Sequence, residues 1–146
     1  MNKEECFDWL KEKFKEIIDS NFLSFEEVAS KKSITGVYFI YLKDNENKPI
    51  YIGNTNKFNV RFGIDLKDKS THTLHKKLLN EGLSKEEIID LLVNNCKFKI
   101  EECGNSDSKE AKIQAEALEH FAILVFQPKY NAHIYKKLSK RKEVEE

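Results

Sequence analysis

The chain has 146 residues, of which 40% are hydrophobic and 34% are charged. This length and composition predict one compact domain with a buried core, and they exclude a disordered chain or a fibre. Lys and Arg balance Asp and Glu at 25 each, which argues against a protein that coats nucleic acid by strong overall positive charge. The basic residues are nevertheless concentrated in residues 31–75 and 128–146, so a local basic face could bind a polyanion.

The expected location of the protein follows from its cysteines and its first residues. The sequence has three cysteines, Cys6, Cys96 and Cys103. Their odd number and their spacing do not indicate a disulfide framework. The first ten residues carry too much charge for a secretory signal, and the longest apolar run, 121–126, is too short to span a membrane. We therefore expect a cytoplasmic, intracellular protein with reduced thiols and no membrane partner.

The first 32 residues are predicted to form an N-terminal helical extension. Residues 3–19 carry apolar side chains at helical spacing between Lys and Glu. Ser24 and Glu27 have the spacing of a capping box, which predicts a second, short helix. The extension could cover the sheet that follows it, form a dimer contact or inhibit a site.

Three segments have the composition of β-strands. Residues 36–42 (GVYFIYL) and 49–53 (PIYIG) are rich in aromatic and β-branched residues, and the polar loop 43–48 between them predicts a hairpin. Residues 96–103 (CKFKIEEC) alternate and predict a third strand.

Four helices are predicted around these strands, at about residues 57–66, 71–81, 84–94 and 108–126. Asn56 is the expected cap of the first, Ser84 and Glu87 form a capping box for the third, and Pro128 ends the fourth. The order of elements predicts an α/β (α+β) domain over residues 33–133, with a small, mainly antiparallel three-stranded sheet flanked by helices. A charged tail follows at residues 134–146.

Five features that could carry chemistry occur in a fixed order along this domain. The triplet GVY occupies positions 36–38 on the first strand, and YIG occupies positions 51–53 on the second. Arg61 lies on the next helix, Glu119 lies on the last helix, and a Pro-x-x-Asn sequence follows at 128–131. Each triplet alone has little value, but the ordered set on these element types is specific.

The set resembles the GIY-YIG nuclease superfamily over about residues 33–133. The resemblance implies a GIY-YIG-like fold and a metal-dependent endonuclease that hydrolyses phosphodiester bonds in nucleic acid, with DNA favoured over RNA. It implies that Mg²⁺ or Mn²⁺ is held by Glu119, and that Arg61 stabilises charge on the phosphoryl group. It also implies that one tyrosine acts as general base and the other as its partner, and we favour Tyr38 as the base and Tyr51 as the partner.

Simple chemistry supports these roles. One carboxylate with several waters suits Mg²⁺, which dehydrates reluctantly. An arginine presents a planar fork to phosphate, which a lysine cannot do. A phenol with a pKa of about 10 is a poor base at neutral pH unless a neighbouring charge helps it.

Further residues are candidates for binding substrate or phosphate, namely Gly53, Asn54, Lys57, Asn131 and His133. Asn131 would orient the metal site or hold the end of the helix. The tail lysines, with Arg141, could contact a phosphate backbone, and a solvated tail is an equal alternative.

The sequence departs from the family pattern in three places. The stretch between the two tyrosines is a little longer than is common, which the hairpin loop can absorb. Asn54 stands where the bacterial excision-repair members carry a lysine, and Asp65 stands where many homing-type members place a histidine. A helper cation is therefore missing at both positions, and His72, His75 or Lys57 could substitute for it.

Other interpretations stay open. Glu116, one turn before Glu119, is a rival for the metal-binding role, although its distance from Pro128 fits the family less well. The histidines and cysteines do not have the spacing of a zinc site. The alternative function is a catalytically inactive GIY-YIG-fold module that binds nucleic acid or a protein partner. An active enzyme with little appended sequence could be weakly specific, act as a homodimer or be targeted by a protein partner.

Overall fold

The centre of the fold is a three-stranded antiparallel sheet, seen in a computed structural model that describes residues 1–68 and 72–136. Its strands are β1 (Ile34–Leu42), β2 (Tyr51–Thr55) and β3 (Cys96–Asn105), in the order β2-β1-β3. The predicted fold class is confirmed. The prediction for the second strand was shifted, because β2 begins two residues later than position 49 and continues past position 53.

Helices cover both faces of this sheet. Because side chains alternate along β1, Val37 and Phe39 point to one face while Tyr38 and Ile40 point to the other. The first face packs against α1 (Lys3–Asp19) and α7 (Lys109–Phe126). The second packs against α2 (Phe25–Ala29), α3 (Phe58–Val60), α4 (Leu66–Asp68), α5 (Thr73–Asn80) and α6 (Lys85–Asn94).

The N-terminal extension is built into both cores. Ile17 of α1 is fully buried beside α7, while Phe25 and Val28 of α2 are buried on the opposite face. Of the possibilities that the sequence left open, the structure therefore shows these helices covering the sheet. The boundary at residue 32 therefore stays a prediction. Both hydrophobic cores contain residues from before and after that boundary.

Two of the predicted helix starts are confirmed. Ser24 with Glu27, and Ser84 with Glu87, form capping boxes at the beginning of α2 and α6. These motifs are predictable because both partners lie within one turn of chain.

The predicted cap at Asn56 was wrong. α3 begins at Phe58 without a side-chain cap, and the Asn56 amide donates to the carbonyl of Ser106 instead. The cause is the longer second strand. It continues through Thr55, whose hydroxyl oxygen accepts the Lys57 N–H at 3.0 Å and closes the turn.

The single helix predicted at residues 57–66 is interrupted. A π-helical turn, Arg61–Asp65, separates α3 from α4. Such turns widen a helix locally and recur at functional sites. Here the turn carries Phe62 into the core, where its ring lies 5.1 Å from the Tyr38 ring in an edge-on arrangement.

Some predictions concern residues that the structure does not describe. Thr71, which was expected to begin the second of the four helices, and positions 137–146 of the charged tail lie outside the described residues. No helix in the described ranges is both long enough and apolar enough to cross a membrane.

Candidate active site

The two motif tyrosines lie on the same face of the sheet, next to each other. Tyr38 of β1 is 1% exposed and Tyr51 of β2 is 8% exposed, and their ring centroids are 6.2 Å apart. Tyr38 is paired in register with Gly53, so its ring lies across that residue. A Cβ atom at Gly53 would stand 2.4 Å from Tyr38 Oη, which is closer than atoms can approach. The glycine of the YIG triplet therefore makes room for the phenol of Tyr38.

Arg61 begins the π-helical turn and carries the positive charge of the site. Its Nε lies 3.9 Å from Asp65 Oδ2, and its side chain is 32% exposed. That Nε is buried and makes no hydrogen bond within the described residues. The charge of Arg61 acts to lower the pKa of both Tyr38 and Tyr51, against the larger opposing effect of burial.

Glu119 reaches the site from the other layer of the fold. It lies on α7, and Asn54 of β2 donates a hydrogen bond from Nδ2 to Glu119 Oε2. Burial raises the pKa of Glu119, and the bond from Asn54 opposes this effect. The negative charge of Glu119 acts to raise the pKa of both motif tyrosines, although they lie on the face of the sheet opposite to α7. Glu116, the rival, is exposed.

Neither tyrosine is a ready base. Burial raises the pKa of Tyr38 well above its ordinary value of 10.0, with a further contribution from Tyr51. Burial, and then the charge of Glu119, raise the pKa of Tyr51 to about 12. Both groups therefore carry their protons at neutral pH.

Asn131 holds the outer edge of β2. Its Oδ1 accepts the Ile52 N–H at 2.9 Å, and its Nδ2 donates to the Ile52 carbonyl at 3.0 Å. The backbone N–H of Tyr130 donates to the carbonyl of Ile50 at 3.1 Å. The segment from Pro128, which includes the short 3-10 helix Lys129–Asn131, thus replaces a fourth strand. Asn131 is 1% exposed, and both of its hydrogen bonds go to the middle residue of the YIG triplet.

His72 belongs to the site, whereas the hydrogen bond of the buried His75 goes to α4. His72 Nε2 lies 3.4 Å from Tyr38 Oη. Burial, followed by the charge of Arg61, lowers the pKa of His72 from 6.5 to about 4. His72 is thus neutral at pH 7 and does not serve as the missing helper cation. His75 Nδ1 lies 2.9 Å from the Leu66 carbonyl, where it joins α4 to α5.

The remaining candidates lie further out. Lys57 is exposed at the start of α3, and its backbone N–H bonds to Thr55. His133 is exposed, with Nδ1 2.8 Å from Lys77 Nζ, and the same ammonium donates to the Tyr130 carbonyl at 2.9 Å. These contacts connect His133 to α5 and to the segment that covers β2.

Glu119 is the candidate carboxylate for holding a metal. Within the described residues, no group of three or more His, Cys, Asp or Glu side chains is arranged to hold a metal ion. A structural zinc site would need such a group. Mg²⁺ differs, because one protein carboxylate together with water and substrate phosphate can hold it. Glu119, partly buried and hydrogen-bonded through one oxygen, fits this kind of site.

Comparisons with known proteins found similarity to solved structures only. No protein-family model matches the chain, and no curated protein matches it. The chain is similar to the crystal structure of the GIY-YIG N-terminal endonuclease domain of UvrC from Thermotoga maritima bound to its catalytic divalent cation, magnesium. The identity is 24%, the match covers 73% of this chain and 92% of that domain, and the TM-score is 0.46.

Two point mutants of the same domain, also bound to the divalent cation, match at 23% and 24% identity with TM-scores of 0.46 and 0.45. Each covers 73% of this chain, and they are covered over 92% and 91% of their own length. All three structures are from the superfamily that the sequence motifs resemble. A similarity of this size says nothing about the activity, metal or substrate of this chain.

Proposed function

We propose that this chain hydrolyses phosphodiester bonds in nucleic acid with the help of one divalent cation. The observation that carries the proposal is the meeting of two phenols, one arginine and one carboxylate around β2. The four residues come from four different elements. The charge of Arg61 nevertheless acts to lower the pKa of Tyr38, Tyr51 and Glu119. Hydrolysis of a phosphodiester needs these functions, because a water must lose a proton while charge on the phosphoryl oxygens is stabilised.

Arg61 is proposed to bind the scissile phosphate. Its Nε is left without a hydrogen bond inside the described structure, and about a third of its side chain is open to solvent. Asp65 holds the guanidinium at a distance longer than a hydrogen bond, so the fork can turn toward a phosphate. The planar fork would then place two donors on the phosphoryl oxygens.

Tyr51 is proposed as the base, in place of Tyr38, which the sequence favoured. Tyr38 is the more deeply buried of the two, and its pKa is raised well above 10.0. Tyr51 has a pKa of about 12, and hydrogen bonds from Thr73 and Tyr38 favour its deprotonated form. Because this pKa lies above neutrality, cleavage should become faster as the pH rises through the neutral and weakly alkaline range.

Glu119 is proposed to hold the cation. When bound, Mg²⁺ or Mn²⁺ would supply positive charge against the phosphate oxygens and the attacking water. Asn54 fixes the carboxylate by donating to Oε2, which leaves Oε1 as the atom that can turn toward a ligand. Asn131 would keep β2 in register, so that Tyr51 and Asn54 stay aligned across the strand.

DNA is the first substrate to test, with RNA second. Lys57 is exposed at the residue before α3, where its ammonium can meet a neighbouring phosphate. His133 and Gly53 are further candidates for binding the nucleic-acid backbone. A homodimer or a targeting protein partner would supply the specificity that one small site lacks, and sedimentation of the pure chain would separate these two cases.

The decisive experiment measures cleavage of supercoiled plasmid, labelled single strands and RNA with Mg²⁺, with Mn²⁺ and with EDTA. Glu119→Gln should abolish cutting, because the neutral amide is a much weaker ligand for the cation than the carboxylate. Glu116→Gln is the matched control, since it makes the same change one turn earlier on α7 at an exposed residue, and it should cut like wild type. Arg61→Lys should lower the rate about 100-fold, because the ammonium keeps the charge but loses the fork.

The outcomes separate the proposal from its alternative. Metal-dependent cutting that is lost in Glu119→Gln and kept in Glu116→Gln would support the nuclease. Folded protein that binds nucleic acid but never cuts it would instead indicate the inactive binding module. Cutting that survives in Glu119→Gln would show that the metal-binding role has been given to the wrong carboxylate.

A further inference from the structure

The hydrogen bond at the N-terminus of α5 fixes the tautomer of His72. His72 is the N-cap of that helix, and its Nδ1 accepts the N–H of Leu74 at 3.2 Å. A ring nitrogen that accepts an N–H carries no hydrogen of its own. The neutral imidazole therefore has its hydrogen on Nε2.

The Nε2–H group is directed at the tyrosine pair. His72 is 6% exposed, and Nε2 lies 3.4 Å from Tyr38 Oη. The imidazole also packs edge-on against Tyr51, with ring centroids 5.9 Å apart. Since Nε2 is the donor, the oxygen of Tyr38 must be the acceptor.

An acceptor role at its oxygen determines where the hydroxyl hydrogen of Tyr38 can point. It cannot point at His72, where it would meet another hydrogen. Its nearest phenolic neighbour is Tyr51, whose ring centroid lies 6.2 Å from that of Tyr38.

We propose that His72 is a positioning residue that, as a neutral Nε2–H donor, holds Tyr38 so that the Tyr38 hydroxyl donates to the oxygen of Tyr51. This inference rests on the proposed nuclease function and adds to it the residue that orients the tyrosine pair. The hydrogen bonds then run in one direction, because His72 donates to Tyr38 and Tyr38 donates to Tyr51. A hydrogen bond donated to Tyr51 stabilises its phenolate, which is the form that can take a proton from water.

A competing explanation is that His72 serves only as a helix cap. Two substitutions separate these roles, because they keep opposite ends of the imidazole. His72→Asn keeps an acceptor near the position of Nδ1, and asparagine is a strong N-cap, but it has no group near Nε2. His72→Gln reaches the position of Nε2 with an amide N–H, but it lacks the short acceptor of the cap.

The proposal therefore predicts opposite effects of the two substitutions on stability and on cleavage. His72→Asn should keep its melting temperature but cut at least about 10-fold more slowly, the effect of one lost hydrogen bond, and its rate should rise at higher pH than that of wild type. His72→Gln should lose thermal stability but keep the wild-type pH profile. If His72→Asn cuts normally and His72→Gln does not, the residue is a cap alone and the proposal is wrong.

A second measurement does not depend on activity. The ¹⁵N NMR spectrum of labelled histidines should show His72 protonated at Nε2 and not at Nδ1. Tyr38→Phe should speed the exchange of that hydrogen with water, because the acceptor is gone. A hydrogen on Nδ1, or no effect of Tyr38→Phe, would overturn the proposal. A chain that cuts no nucleic acid would refute the proposed function, while this spectrum would still decide whether His72 orients the pair.

Discussion

Acid should destabilise this protein through His72. Burial lowers the pKa of the imidazole from 6.5 to about 4 in the folded chain. The groups that act on it are Arg61 and His75, which lower the pKa, and Asp65, which raises it. In the unfolded chain none of these acts, so the imidazole takes up a proton near its ordinary pKa.

The sign and size of the effect follow from proton linkage. Between pH 6.5 and pH 4 the unfolded state binds more protons than the folded state, so the free energy of unfolding falls as the pH falls. Each pH unit in this range is worth about 1.4 kcal/mol. Since pH 5 lies about 1.5 units below the unfolded pKa, the stability provided by neutral His72 should fall by about 2 kcal/mol between pH 7 and pH 5.

Urea denaturation of wild type and His72→Asn at pH 7, 6 and 5 measures this effect. Other groups also contribute to the pH dependence, including Glu101, whose pKa is raised by burial. Subtracting the two proteins removes those groups, because His72→Asn keeps them and keeps the helix cap. Wild type should lose about 2 kcal/mol more than the variant between pH 7 and pH 5. Parallel losses in the two proteins would show that the imidazole is not held neutral by burial.

Three further substitutions test other contacts. Asn131→Asp should cost at least about 2 kcal/mol in urea denaturation at pH 7, because a carboxylate oxygen would face the buried carbonyl of Ile52. Gly53→Ala should cost about 1–3 kcal/mol, because its Cβ would meet the phenol of Tyr38. Adding Tyr38→Phe should restore only part of that loss, since the ring carbon Cζ would still lie 2.5 Å from the new methyl group. Lys99→Met should lower stability by about 1–3 kcal/mol, because the Lys99 ammonium donates to two carbonyls at the end of α1, at 3.1 and 2.9 Å. An unchanged urea midpoint in any one of these variants would contradict the contact that it removes.

The features that the sequence predicted well depend on local patterns. The run of aromatic and β-branched residues at 36–42 identifies β1, because a strand buried on both faces needs apolar side chains at every position. The capping boxes at Ser24 and Ser84 are complete within four residues. The ordered motifs also indicated which elements meet, since a hairpin brings its two tyrosines to one face.

The features that it missed depend on contacts distant in sequence. The Asn56 prediction failed because β2 is extended by pairing with β1, which position 56 cannot reveal. The π-helical turn at Arg61–Asp65 was read as part of one ordinary helix, since its apolar spacing is helical in either case. The two hydrogen bonds of Asn131 join residues that are 79 positions apart, so no local signal could show that this amide holds an edge of the sheet.

The histidine illustrates the same limit in chemical terms. From the sequence, His72 was a possible substitute for a missing cation, because an imidazole with an ordinary pKa is partly charged near neutrality. Its burial and its cap to Leu74 reverse that role, since together they keep it neutral and turn its one hydrogen toward Tyr38. The two positions at which the sequence resemblance would place helper cations hold an amide, Asn54, and a carboxylate, Asp65. Arg61 is then the cation that acts on both phenols, and the carboxylate beside it reduces its effect. Under the proposed function, a cation held by Glu119 would add the positive charge that these two positions lack, and we expect activity to depend on the metal more steeply than on any single lysine.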